Sequence, residues 1–186
     1  LQSESIPYVI TQPPEEWKGD SEPFGCFWCS WNRRKALFDL AHELKCTKIA
    51  FAHHMDDIIE TMLLNLFFQG EIGTMQPYQE MFGGELAIIR PLAYVEEKDL
   101  LRLATRLALP VSGSDCPHGK TSKRFLVKGM IAELKKHNRN VKKNIFRSLQ
   151  RVREEYLLAT PKNEPPSRSF SQSCIDIAQG QLPQEH

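Results

Sequence analysis

No stretch of the 186 residues is apolar for long enough to span a membrane. The longest candidate, Ile58 to Phe68, is interrupted by Glu60, Thr61 and Asn65, and therefore reads as a buried helix. The opening residues, LQSESIPYVI, have neither the basic start nor the small-residue cleavage site of a signal peptide. An initiator methionine is missing as well, which points to a piece of a longer chain. Without secretion features, the five cysteines argue against a disulfide framework. They favour a reduced, cytoplasmic setting in which close-set thiols bind metal or carry redox chemistry. The net charge of +1 does not by itself predict polyanion binding, and no internal repeat is visible. A hydrophobic fraction of 41% is enough for a real core and excludes a wholly disordered chain.

Charge is unevenly spread. Between Lys120 and Arg153 stand twelve of the 24 Lys and Arg residues against one acid, Glu133, while the first 119 residues are net acidic. That asymmetry suggests an end that faces nucleic acid.

Periodicity predicts alternating strands and helices. Ile6 to Thr11 reads as a strand, Asn32 to Lys45 as an amphipathic helix, and Lys48 to Ala52 as a compact apolar strand. His53 to Asp57 is a polar turn, and the helix from Ile58 to Phe68 follows. Gly70 to Gly84 is a loop with room for a hairpin, Leu86 to Ile89 a strand, and Glu96 to Ala108 a helix with acids at its start. Two further helices span Ser122 to His137 and Val141 to Leu158. The polar, Pro- and Ser-rich segment 160–186 is expected to be disordered, leaving one domain over 1–159. The pattern is that of a doubly wound α/β fold, whose ligands sit beyond the carboxyl ends of the strands. His53, His54, Asp56 and Asp57 lie at such an end.

Three constellations carry chemistry. Cys26-Phe27-Trp28-Cys29 is a CxxC whose thiolates can reach one metal, with Arg33, Arg34 and Lys35 nearby to favour the thiolate form. The spacing serves metal ligation and redox pairing equally. With no second CxxC, a zinc ribbon is excluded. The other cysteines are single: Cys46 reads as a buried structural thiol, Cys174 as incidental, and Cys116 sits in the loop SGSDCPHGK. Cys26, Cys29 and Cys116 together suit an iron–sulfur cluster with one open iron; zinc with His118 as a fourth ligand is the alternative. The adjacent carboxylates of Ala52-His53-His54-Met55-Asp56-Asp57 suit Mg²⁺ beside a nucleotide phosphate, although either Asp would equally serve as a helix N-cap. Finally, Lys120, Lys123, Arg124 and Lys128 follow Cys116 closely enough to bind RNA phosphates, against the plainer reading of a solvated helix face.

Taken together, CFWCSWNRR, AHHMDDIIETMLLN, IIRPLAYVEEKDL and CPHGKTSKR resemble the tRNA 2-thiocytidine synthetase branch of the PP-loop ATPases, over about Ile6 to Leu158. The resemblance implies a Rossmann-like fold of the adenine nucleotide alpha hydrolase type, a parallel sheet with flanking helices. It implies that ATP adenylates a tRNA base and that sulfur then displaces AMP. It further implies a 4Fe–4S cluster on Cys26, Cys29 and Cys116. Asp56 and Asp57 would act beside Mg²⁺ or the activated base, with Arg33 as a further catalytic residue. His53, His54 and Arg34 would contact the nucleotide. Partners would be tRNA, ATP and a sulfur donor such as a cysteine desulfurase, with a homodimer expected. Ala52 stands where the family's GHxxDD signature has Gly. The family's first strand and its SGGxDS phosphate loop have no counterpart, so a truncated and inactive piece of the enzyme is expected, with an exposed sheet edge. A lysidine synthetase-like ligase needs no cysteines, which counts against it. A non-catalytic RNA- or metal-binding module is the reading from another class.

Overall fold

The computed structural model describes residues 6–10, 26–110 and 121–158. The chain divides into two units, Leu1–Thr47 and Lys48–His186. The expected 160–186 tail and the loop holding Cys116, His118 and Lys120 lie outside the described residues.

In the N-terminal unit, residues 6–10 carry no regular structure, contrary to the expected strand. A strand exists only with a hydrogen-bonded neighbour, and none of the ladders among the described residues includes them. Helix α1 runs Cys26–Glu43 and so begins six residues before the predicted Asn32, taking in the CxxC. It closes on a Schellman motif: the Cys46 amide donates to the Ala41 carbonyl at 2.8 Å and the Lys45 amide to the His42 carbonyl at 3.0 Å. Lys45 adopts a φ of 54° to do so, in the left-handed region usually reserved for Gly. Cys46 is exposed rather than the buried thiol expected, because it follows this turn instead of joining the apolar strand.

The second unit is built on a three-stranded sheet in the order β1-β3-β2, with β1 Lys48–Ala50, β2 Tyr78–Met81 and β3 Leu86–Ile89. β1 and β3 are parallel, pairing Lys48 with Ala87 and Ala50 with Ile89. β2 runs antiparallel to β3, pairing Tyr78 with Ile89 and Met81 with Leu86, so the sheet is mixed. The central strand needs a continuous apolar run, and Leu86, Ala87 and Ile88 are all buried. The hairpin turns through Phe82, Gly83 and Gly84, all with positive φ, which explains the Gly pair.

Helix α2, Met55–Phe68, is the crossover between the parallel strands. Its apolar surface is only half used. Met55, Ile58, Ile59, Met62 and Leu63 are buried, whereas Leu66, Phe67 and Phe68 in the last turn are exposed. Helix α3 is Glu97–Arg106, α4 Lys123–His137 and α5 Val141–Ser148. Met55, Ile59, Met62 and Leu63 of α2 pack with Val127 and Ile131 of α4, and Ile145, Phe146 and Leu149 close the cluster from the α5 side. A predicted helix to Leu158 stops at Ser148, followed only by a 3₁₀ turn at Glu154–Tyr156. Past Leu149 there is no apolar face to bury, since Val152, Tyr156 and Leu157 are exposed, and a short helix without packing is marginal.

Candidate functional site

The site grows from the turn between β1 and α2. The Phe51 amide extends the parallel ladder to the Ile89 carbonyl at 2.9 Å, and the Met55 amide donates to the Val95 carbonyl at 3.0 Å. This second bond pins the start of α2 beside the loop leading into α3. His54 is the N-cap of α2, so Asp56 and Asp57 occupy its second and third positions, where the positive end of the helix dipole favours carboxylates.

The two carboxylates have different surroundings. Asp56 is buried; its Oδ2 accepts from the Glu97 amide at 2.8 Å, and its Oδ1 meets the Lys142 ammonium of α5. One carboxylate thus serves the first turns of two helices and anchors a third. Burial opposes its charge, but the Glu97 amide and Lys142 outweigh that and hold the carboxyl below its ordinary value. Asp57 Oδ2 reaches back to the His54 amide at 3.0 Å, the carboxylate half of a capping box. Its Oδ1 faces the Arg124 guanidinium at 3.3 Å, and its side chain is 23% exposed against 4% for Asp56.

A third carboxylate, which the sequence presented only as a break in an apolar run, completes the group. Glu60 is 2% exposed, and its Oε2 accepts from Arg124 at 2.9 Å while Lys128 stands 3.7 Å from Oε1. Burial raises its pKa above the usual carboxylate value despite Lys128 and Arg124. Lys128 also reaches Glu97 at 3.4 Å. Burial works against its charge too, yet Glu60 and Glu97 more than compensate and its pKa is raised. Spacing alone could have flagged Glu60, since positions 56, 57 and 60 share one face of a helix. Lys142 gave no such signal, being one of twelve cations in its stretch.

The remaining expected residues divide between the units. His54 Nδ1 lies 3.4 Å from Asp57 Oδ2, and the His53 ring stands 5.3 Å from that of Phe51. Lys123 is not in the carboxylate group; its ammonium sits 4.6 Å over the Phe68 ring. Cys26 and Cys29 fall in the first turn of α1, one helical turn apart, with Cys29 exposed. Arg33 is exposed and Arg34 half-buried on the same helix. Cys116 and Lys120 are outside the described residues, among which no three His, Cys, Asp or Glu side chains are grouped to hold a metal. No helix among the described residues is long and apolar enough to cross a membrane.

The structure is similar to the U34-tRNA thiolase NcsA from Methanococcus maripaludis, solved with its 4Fe–4S cluster, with a TM-score of 0.58, 25% identity, and coverage of 86% of this chain and 52% of that one. The expected PP-loop, Rossmann-like fold is therefore the fold present, with one antiparallel strand. In sequence, the chain is 40% identical over 135 residues to the tRNA-cytidine(32) 2-sulfurtransferase of Geobacter sulfurreducens, covering 72% of this chain and 52% of the relative. It is 42% identical over 134 residues to the enzyme of that name from Nitrosospira multiformis, covering 72% and 45%. The chain is similar in sequence to these tRNA-cytidine(32) 2-sulfurtransferases, and it spans about half the length of these curated relatives. No family model matches the sequence.

Proposed function

We propose that this chain is the cluster- and carboxylate-bearing part of an ATP-dependent enzyme that thiolates a tRNA base, of the 2-thiocytidine type. The observation that carries the reading is the 40% identity over 135 residues to a tRNA-cytidine(32) 2-sulfurtransferase. The activity belongs to the whole protein. An SGGxDS sequence to hold pyrophosphate does not occur in these 186 residues.

ATP adenylates the base oxygen with release of pyrophosphate, and sulfur at the sulfide level attacks the activated carbon as AMP leaves with that oxygen. Of the two aspartates, Asp57 is the one with room for Mg²⁺ or the reacting base, because Asp56 is committed to Glu97 and Lys142. Asp56 positions the turn. Arg124 balances Asp57 until a cation or nucleotide arrives. The family resemblance assigns His53 and His54 to the nucleotide and, separately, Arg33 and Arg34 to a phosphate. Two cysteines three residues apart in α1, with Cys29 exposed, suit soft-metal ligation, and the family resemblance assigns Cys26, Cys29 and Cys116 to an iron–sulfur cluster. When bound, such a cluster supplies an open iron for sulfur.

Anaerobic reconstitution with iron and sulfide tests this on the chain as it stands. Uptake of about four irons with a broad visible band, lost in Cys29→Ala and in Cys116→Ala, is expected. Tight zinc binding with no iron uptake would instead make this a structural metal site and sink the thiolase reading.

A further inference from the structure

The basic stretch that ends the described chain does two different things. Arg124, Lys128 and Lys142 turn inward to Asp57, Glu60, Glu97 and Asp56. Lys136 pairs with Glu133 at 2.6 Å, Lys123 lies over Phe68, and Arg153 lies over Tyr156. Lys135, Arg139, Lys143, Arg147 and Arg151 remain. All five are exposed, and among the described residues none has a carboxylate within ion-pair distance.

Their placement is not what helix stability asks for. Lys143 stands in the first turn of α5, where the dipole disfavours a cation, and α5 has no acid there. Lys142 in the same turn meets Asp56, whereas Lys143 acts on Glu96 only from beyond ion-pair distance. Lys143 and Arg147 are four residues apart on the exposed face of α5, about 6 Å along its axis. Arg139 and Arg151 continue the four-residue spacing just outside the helix on either side. The opposite face of α5 is the apolar one, with Ile145 and Phe146 on the core.

We propose that this outer face of α5, with Arg139 before it and Arg151 after it, is the surface that takes the phosphate backbone of the RNA, in place of Arg124 and Lys128. The proposal rests on the reading that the partner is tRNA. Because Lys142 links the inner side of α5 to Asp56, a backbone held on the outer side is fixed relative to the carboxylates.

The test is binding of a tRNA transcript to the full chain across a salt series. The variants are Arg139→Gln/Lys143→Gln/Arg147→Gln and, as a charge-matched control, Lys98→Gln/Arg102→Gln/Arg106→Gln on α3. Each lost phosphate contact lowers the slope of log affinity against log salt by about 0.7–0.9, so the α5 triple should lose roughly two units of slope and at least about tenfold in affinity. The control should stay within about twofold. Unchanged slope in the α5 triple, with tRNA still bound, overturns the surface while leaving the thiolase reading intact; absence of tRNA binding by the parent chain overturns the surface as well. Equal binding of duplex DNA with the same loss keeps the phosphate surface and removes the tRNA reading.

Discussion

The inner and outer sides of α5 belong to one basic stretch, yet their charges live in different media. On the inner side, Lys142 meets a buried carboxylate, and nearby Arg124 and Lys128 share the buried Glu60. On the outer side, Lys143 and Arg147 stand in water. Removing one member of a buried pair strands the other, whereas removing an exposed charge strands nothing. Charge count alone therefore says little about what a cation does; the burial of the group opposite decides it.

That contrast can be broken in order of expected effect. Lys142→Met should cost about 3 kcal/mol of unfolding free energy, read by urea denaturation, because buried Asp56 loses its counter-charge. A loss under about 0.5 kcal/mol would place Asp56 with the surface charges. Arg124→Met should cost less, about 1–3 kcal/mol, since Lys128 still faces Glu60 and Asp57 is partly solvated. Glu60 supplies a pH test. Its folded pKa is raised, so the folded state binds its proton more tightly than the unfolded state. Its contribution is present below the unfolded value near 4.5 and is lost as pH rises through the folded pKa. Asp56, with a lowered pKa, acts oppositely: its contribution is present above about 3.8 and is lost as pH falls through the folded value. Stability measured upward from pH 4.5 should therefore decline in the parent chain and be flatter in Glu60→Gln. At the small end, Lys143→Gln and Arg147→Gln should each shift stability by no more than about 0.5 kcal/mol in the same denaturation assay.

The parts legible in the sequence were those written in local pattern. KIAFA followed by HHMDD and a dense apolar run announced a strand and a helix, and both are present, but α2 begins at Met55 and takes both carboxylates out of the expected turn into its first turn. A hairpin was expected within Gly70 to Gly84, but it turns at Phe82 to Gly84 and takes Leu86–Ile89 as its second strand. The direction of β2 was not legible, because Tyr78–Met81 lies in a polar segment whose only strand signal is its partner β3. Nor was the end of α5, which depends on where α2 stops offering an apolar face. Within the site, Asp56 and Asp57 were visible as a pair, but their unequal burial is set by Glu97, Arg124 and Lys142, 41 to 86 residues away. Glu60 was within reach of spacing, four residues after Asp56, but its role depends on Arg124 and Lys128, more than 60 residues away.

The reach of Asp57 back to the His54 amide also makes that amide a reporter. A capping bond shields one proton from solvent, and the shielding lasts only while the carboxylate points that way. Any cation or base that draws Asp57 forward must let the first turn of α2 fray, at a cost of about 1 kcal/mol. Deuterium uptake at His54 should then quicken on ligand binding while the amides deeper in the helix stay slow, so engagement of the carboxylate can be timed at a single backbone proton.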